Sequence, residues 1–121
     1  MTNLDYLVSS VKLGSLSHAY VLSGNDKEAK DNTIFAFCEF LLGKGTHHGD
    51  LHIIDSLGKE IPIGQIRNLE LVLALGAWNS LWKIAVVRRA HLMNQEAQSA
   101  FLKLLEEPKG STLFLLETDH V

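Results

Sequence analysis

The sequence predicts an α/β fold in three layers, a mostly parallel sheet with helices on both faces. Three observations lead there. Short apolar strand candidates alternate with helical stretches along the whole chain. Those strand candidates are apolar throughout instead of alternating with polar residues, the pattern of strands covered on both faces. Finally, Gly, Pro, Asn and Asp fall between the periodic stretches, where elements start and stop. With 121 residues, the expectation is one domain over 1–121.

Leu4, Leu7, Val8 and Val11 recur at helical spacing behind Thr2 and Asn3, either of which suits a cap, and Gly14 is a stop signal. Ala19-Tyr20-Val21-Leu22 reads as a strand ending at Ser23-Gly24. A polar stretch then opens a helix carrying Ile34, Phe35, Phe37, Cys38, Leu41 and Leu42. After a Gly-rich loop with His47 and His48, Leu51-His52-Ile53-Ile54 is the second strand, with the turn-like Asp55-Ser56-Leu57-Gly58 behind it. Ile66, Leu69, Val72, Leu73 and Leu75 mark a helix opening near Gly64 and ending near Gly76, and Lys83 to Val87 is a third strand. Asn94 caps a helix running through Ala97, Ala100, Phe101, Leu104 and Leu105 to Glu107. Pro108 and Gly110 close it before the strand Thr112 to Glu117.

Composition excludes several classes. The chain is 46% hydrophobic with a net charge of −3, too apolar and too weakly charged for disorder, and its single cysteine cannot build a disulfide scaffold. No apolar run approaches a membrane span and the N-terminus lacks the pattern of a signal peptide, so a soluble cytoplasmic protein is expected. Residues 1–60 hold five basic and eight acidic side chains, and residues 61–121 hold six of each. Neither half is a basic nucleic-acid platform, so direct DNA binding is expected to be feeble or absent.

In α/β sheets ligands sit beyond the carboxyl ends of the strands, which singles out the residues after Leu22, Val87 and Leu116. Two of these edges carry a readable motif. Ser23 to Asn32 has the frame of the phosphate-binding loop GxxxxGK[ST], with Gly24 and Lys30 in place but Ala29 and Asp31 where the second Gly and the hydroxyl belong. Asp31 puts a carboxylate at the Mg²⁺ position, and Asp26 and Glu28 add negative charge where a triphosphate would lie. The plainer reading makes Asn25 or Asp26 a helix cap, with Glu28 at the positive helix end and Lys30 solvated. At the end of the third strand, where an ATPase places its acidic pair, stand Arg88 and Arg89, which neither ligate a cation nor act as a base. Since Asp31 and Arg88 occupy positions that both face the metal in an active ATPase, an ion pair between them is one expectation. Arg88 reaching solvent or another acid is the other.

Remaining candidates are weaker. Cys38, His47, His48 and His52 are zinc-capable residue types but lack paired-cysteine spacing, so no metal is expected; Cys38 reads as core. Glu106 and Glu107 precede a helix-ending Pro and read as a solvated terminus. Trp78 and Trp82 read as packing at a strand entrance, with a partner contact as the alternative. No spacing of Ser, His and Asp suggests a nucleophile with its base.

The altered loop and the inverted acidic edge join three further strings: Ser17-His18-Ala19-Tyr20, then Asp50-Leu51-His52-Ile53-Ile54, then Ile63 with Gln65-Ile66-Arg67. Most specific is Asn94 to Pro108, NQEAQSAFLKLLEEP, followed by Ser111 to Leu116. Together they resemble the nucleotide-binding domain of bacterial clamp-loader AAA+ subunits, and the delta-prime subunits of DNA polymerase III in particular, over nearly the whole chain. The resemblance implies a P-loop-type AAA+ fold without the family's lid and collar domains. It also implies a structural role in replication beside gamma or tau and delta subunits, with no cofactor and no small-molecule substrate. The family's arginine-finger Ser-Arg-Cys motif would fall beyond Val121, and its four-cysteine zinc module has no counterpart here. Departures at Ala29, Asp31, Arg88 and Arg89 fit delta-prime better than the ATP-hydrolysing gamma or tau subunits. A gamma- or tau-type ATPase, resting on Gly24 and Lys30, and a stand-alone interaction module are the alternatives.

Overall fold

A computed structural model describes residues 3–14, 17–43, 50–75, 82–107 and 112–119. Four strands, β1 (Ala19–Ser23), β2 (Leu51–Ile54), β3 (Lys83–Val87) and β4 (Thr112–Thr118), form one sheet in the order β1-β4-β3-β2. Every pairing is parallel. The helices are α1 (Asn3–Lys12), α2 (Lys27–Leu42), α3 (Ile63–Leu73) and α4 (Gln95–Glu106), with a short 3₁₀ turn at Ala90–Leu92. The expected strand and helix order is present, and β4 runs one residue beyond the expected Glu117.

The layers follow from the period-2 alternation of the two central strands. Ile84, Val86, Leu113 and Leu115 point to one face, where they meet Leu7 of α1 and Ile34, Phe37 and Cys38 of α2. Ala85, Val87 and Phe114 point to the other, against Ile66, Leu69 and Leu73 of α3 and Ala97, Phe101 and Leu104 of α4. Phe101 and Phe114 meet edge to face with centroids 5.4 Å apart. All five residues of β3 are buried, which explains why its sequence reads as a continuous apolar run.

The starts of α2 and α4 are fixed by side chains. Asp26 caps α2 by accepting from the Ala29 N–H at 3.0 Å, and Asn94 caps α4 by accepting from the Ala97 N–H at 2.9 Å. Of the two cap candidates for α2, Asp26 makes the bond. Between β2 and α3 the chain turns through Leu57 and Gly58, with φ of 55° and 89°. The Lys59 N–H closes this turn on the Ser56 carbonyl at 3.2 Å, and the Asp55 carboxylate accepts from the Leu57 N–H at 2.9 Å. A Cβ at Gly58 would stand 3.0 Å from Arg89 Nη1, the movable tip of a long side chain, so the glycine is required by its backbone angle.

Candidate functional site

The carboxyl ends of β1, β3 and β4 converge on the first turns of α2, and there the structure gathers five charged groups. Lys30 sits one turn into α2 and is buried. Its side chain turns inward, donating to the Gly24 carbonyl at 2.7 Å, to Glu117 Oε2 at 2.8 Å and to the Thr118 carbonyl at 2.8 Å. An ammonium has three protons to donate, and here each has an acceptor. The expectation of a solvated Lys30 is therefore corrected. What sequence proximity hides is an acid 87 residues away, brought alongside by the parallel pairing of β1 with β4.

Arg88, directly after β3, pairs with Asp31 of α2, the ion pair expected from the two altered positions. Asp31 also lies 3.4 Å from the exposed Lys27 ammonium. Arg88 Nε stands 3.6 Å from Glu117 Oε1, beyond hydrogen-bonding reach, and this buried nitrogen has no hydrogen-bond partner. Arg89 adopts the left-handed conformation at φ 49°, which is uncommon for a non-glycine residue. Its backbone N–H donates to Glu117 Oε1 at 3.2 Å.

Glu117 is thus the hub, 3% exposed at the end of β4. Burial pushes its carboxyl pKa up. The Lys30 and Arg89 hydrogen bonds and the nearby charges of Lys30 and Arg88 outweigh this and leave it below the ordinary carboxylate value. Glu117 was not among the residues with a recognisable motif, although it directly follows Leu116 at one of the three strand ends where ligands sit. A buried position at such an edge, occupied by an acid, is the signal that would have found it. Beyond it, His91 Nδ1 lies 2.8 Å from Thr118 Oγ1 and its Nε2 lies 3.3 Å from Asp119.

Lys30 is bonded to protein acceptors, the Ala29 N–H at the helix start is taken by Asp26, and Arg88 is paired with Asp31. A cavity of about 310 Å³ opens onto the cluster itself, lined by Lys30 and Glu117 together with Lys27, Arg89, His91 and Asp119 among others. The larger cavity, about 580 Å³ between α3 and α4, is lined by Arg67, Glu70, Glu96 and Lys103 among others and shares no residue with the strand edge.

Other candidates take plainer places. Cys38 is buried in the core, and burial raises its thiol pKa to about 11. His52 lies within β2, Glu106 and Glu107 are exposed at the end of α4, and Trp82 packs against the α1/α2 side of the core. His47, His48 and Trp78 lie outside the described residues. No group of three or more His, Cys, Asp or Glu residues able to hold a metal occurs among the described residues, and none of the described helices is long and apolar enough to cross a membrane.

Comparison with known proteins adds a family to this geometry. The chain is 36% identical over 73 residues to DNA polymerase III subunit delta' of Haemophilus influenzae, covering 60% of this chain and 22% of that protein. It is 27% identical over 134 aligned positions to subunit delta' of Bacillus subtilis, covering 97% and 41% respectively. The chain therefore spans well under half the length of these relatives. Among solved structures, a gamma-subunit-related protein of DNA polymerase III from Thermotoga maritima superposes with a TM-score of 0.84 at 24% identity, over 98% of this chain and 40% of that one. The Bacillus subtilis clamp loader delta protein gives 0.71 at 17% identity, over 95% and 35%. Both show a shared fold. A family model described as DNA polymerase III, delta subunit, matches residues 2–121, and the chain belongs to that family.

Proposed function

We propose that this chain serves as a delta-prime-like subunit of a DNA polymerase III clamp loader in the cytoplasm, as a structural module that neither binds nor hydrolyses ATP. The observation that carries the reading is the bonding of Lys30. With all three ammonium protons on Gly24, Glu117 and Thr118, the residue on which a phosphate-binding loop depends has none left for a nucleotide. Asp31 and Arg88 support it, because paired with each other they replace a hydroxyl and a metal-binding acid.

On this reading its partners are gamma- or tau-type and delta-type subunits, its role is protein contact, and DNA is not held by this domain itself. The direct test is co-elution of the chain with purified gamma- or tau-type and delta-type subunits on size exclusion. Stable co-elution that is indifferent to ATP is expected. Absence of any complex would favour a stand-alone interaction module. A second reading, a gamma- or tau-type ATPase, draws on Gly24 and Lys30 at a strand-to-helix junction, and saturable Mg²⁺-dependent nucleotide binding would promote it.

A further inference from the structure

Lys30, the Arg88 guanidinium and the backbone N–H of Arg89 converge from α2 and the end of β3 on one point. We propose that this point is a built oxyanion site, of the kind that takes a phosphate group, and that its resident ligand is the chain's own Glu117 carboxylate. An ammonium, a guanidinium and a main-chain N–H aimed at the same pair of oxygens are the donor set of a phosphate site. They stand at the carboxyl edge of a parallel sheet, where such ligands bind. Two further details set the cluster apart from an ordinary buried salt bridge.

The first is Arg88 Nε. This donor, on a residue 9% exposed, faces Glu117 Oε1 at 3.6 Å and makes no hydrogen bond. Glu117 Oε2 accepts from Lys30 and Oε1 from the Arg89 N–H, and although Oε1 keeps a second lone pair it stops short of Nε. A phosphate, with more oxygens on a larger frame, would bring one within reach of Nε. The second is Arg89, whose left-handed backbone is unfavourable for a residue with a Cβ and turns its N–H toward the anion. Glu117 thereby supplies from within the anion that such a loop otherwise takes from a ligand. The ends of β3 and β4 and the first turns of α2 stay joined whether or not nucleotide is present.

Thermal melts of the full chain test this with inorganic phosphate as the probe, comparing phosphate with chloride at equal ionic strength. Removing the carboxylate in Glu117→Ala leaves the donors facing an open space. The unmodified chain then gives the general salt response, and Glu117→Ala exceeds it by roughly 5 °C or more as the anion binds the folded state. Adding Lys30→Met to Glu117→Ala abolishes that excess. A Glu117→Ala chain that responds no more than the unmodified chain overturns the inference, as does an excess that survives Lys30→Met. Should Glu117→Ala unfold in chloride, refolding from urea in phosphate alone supports the proposal, and failure in both buffers overturns it. The inference rests on the reading of a site closed to nucleotide, and the two fail separately. ATP uptake by the unmodified chain would refute that reading, whereas lack of phosphate rescue refutes only the role given to Glu117.

Discussion

Replacing Lys30 by Met keeps most of the side chain's volume and removes its charge and three hydrogen bonds. The change strands Glu117, whose side chain is 4% exposed, along with the carbonyls of Gly24 and Thr118. Breaking a buried ion pair by removing one partner costs about 3–5 kcal/mol. Glu117 keeps the Arg89 N–H and the neighbouring Arg88 charge, which places the expected loss near the lower end, about 3 kcal/mol. At about 2.1 cal/mol/K of unfolding entropy per residue, a chain of 121 residues loses about 12 °C in Tm for that amount. Urea denaturation and thermal melts followed by circular dichroism read both quantities. Adding Glu117→Leu to Lys30→Met removes the stranded charge, and the double variant is expected to be more stable than Lys30→Met alone. A solvated lysine predicts a change within about 0.5 kcal/mol. A Lys30→Met chain that stable would refute the buried network.

Arg88→Met is expected to cost less, about 1–2 kcal/mol, because Asp31 retains Lys27 at 3.4 Å and Glu117 retains Lys30 at 2.8 Å; equal losses for Arg88→Met and Lys30→Met in urea would contradict this ranking. Glu117 has a folded pKa below the ordinary value, so its contribution is complete above the unfolded pKa of about 4.3 and is lost as pH falls through the lower folded pKa. Glu117→Gln should accordingly flatten the acid limb of a stability-versus-pH curve and leave its neutral plateau lower. Leu57, held at φ 55° and 82% exposed, should tolerate glycine with a gain of up to about 1 kcal/mol, and a clear loss in thermal melts would contradict the turn geometry. Phe101→Ala should cost about 3–5 kcal/mol in urea denaturation by opening a cavity against Phe114.

The fold was largely legible because its signals are local. β3 reads as Lys83–Val87 from composition alone, being buried throughout, and the caps at Asp26 and Asn94 act on backbone N–H groups three residues away. The site was legible only where a motif supplied the frame. Asp31 and Arg88 lie 57 residues apart, yet each departs from a known position in a phosphate-binding loop and its acidic partner, and the two departures have opposite charge. Glu117 departs from no such pattern. Nothing within a turn of Lys30 announces its partner, since the contact is made by sheet pairing between the first and last strands. The side-chain state of a lysine in a linear motif therefore depended on an edge that bears no motif.

On the proposed reading, the loop at Gly24 to Asp31 is closed to nucleotide. Titrating a fluorescent ATP analogue with Mg²⁺ into the chain, beside the double variant Asp31→Thr, Arg88→Asp, tests it most directly. No saturable binding by the unmodified chain up to millimolar nucleotide is the predicted result. Tight, Mg²⁺-dependent binding by that chain would refute a closed loop, because it requires Lys30 to leave Glu117 and Arg88 to leave Asp31.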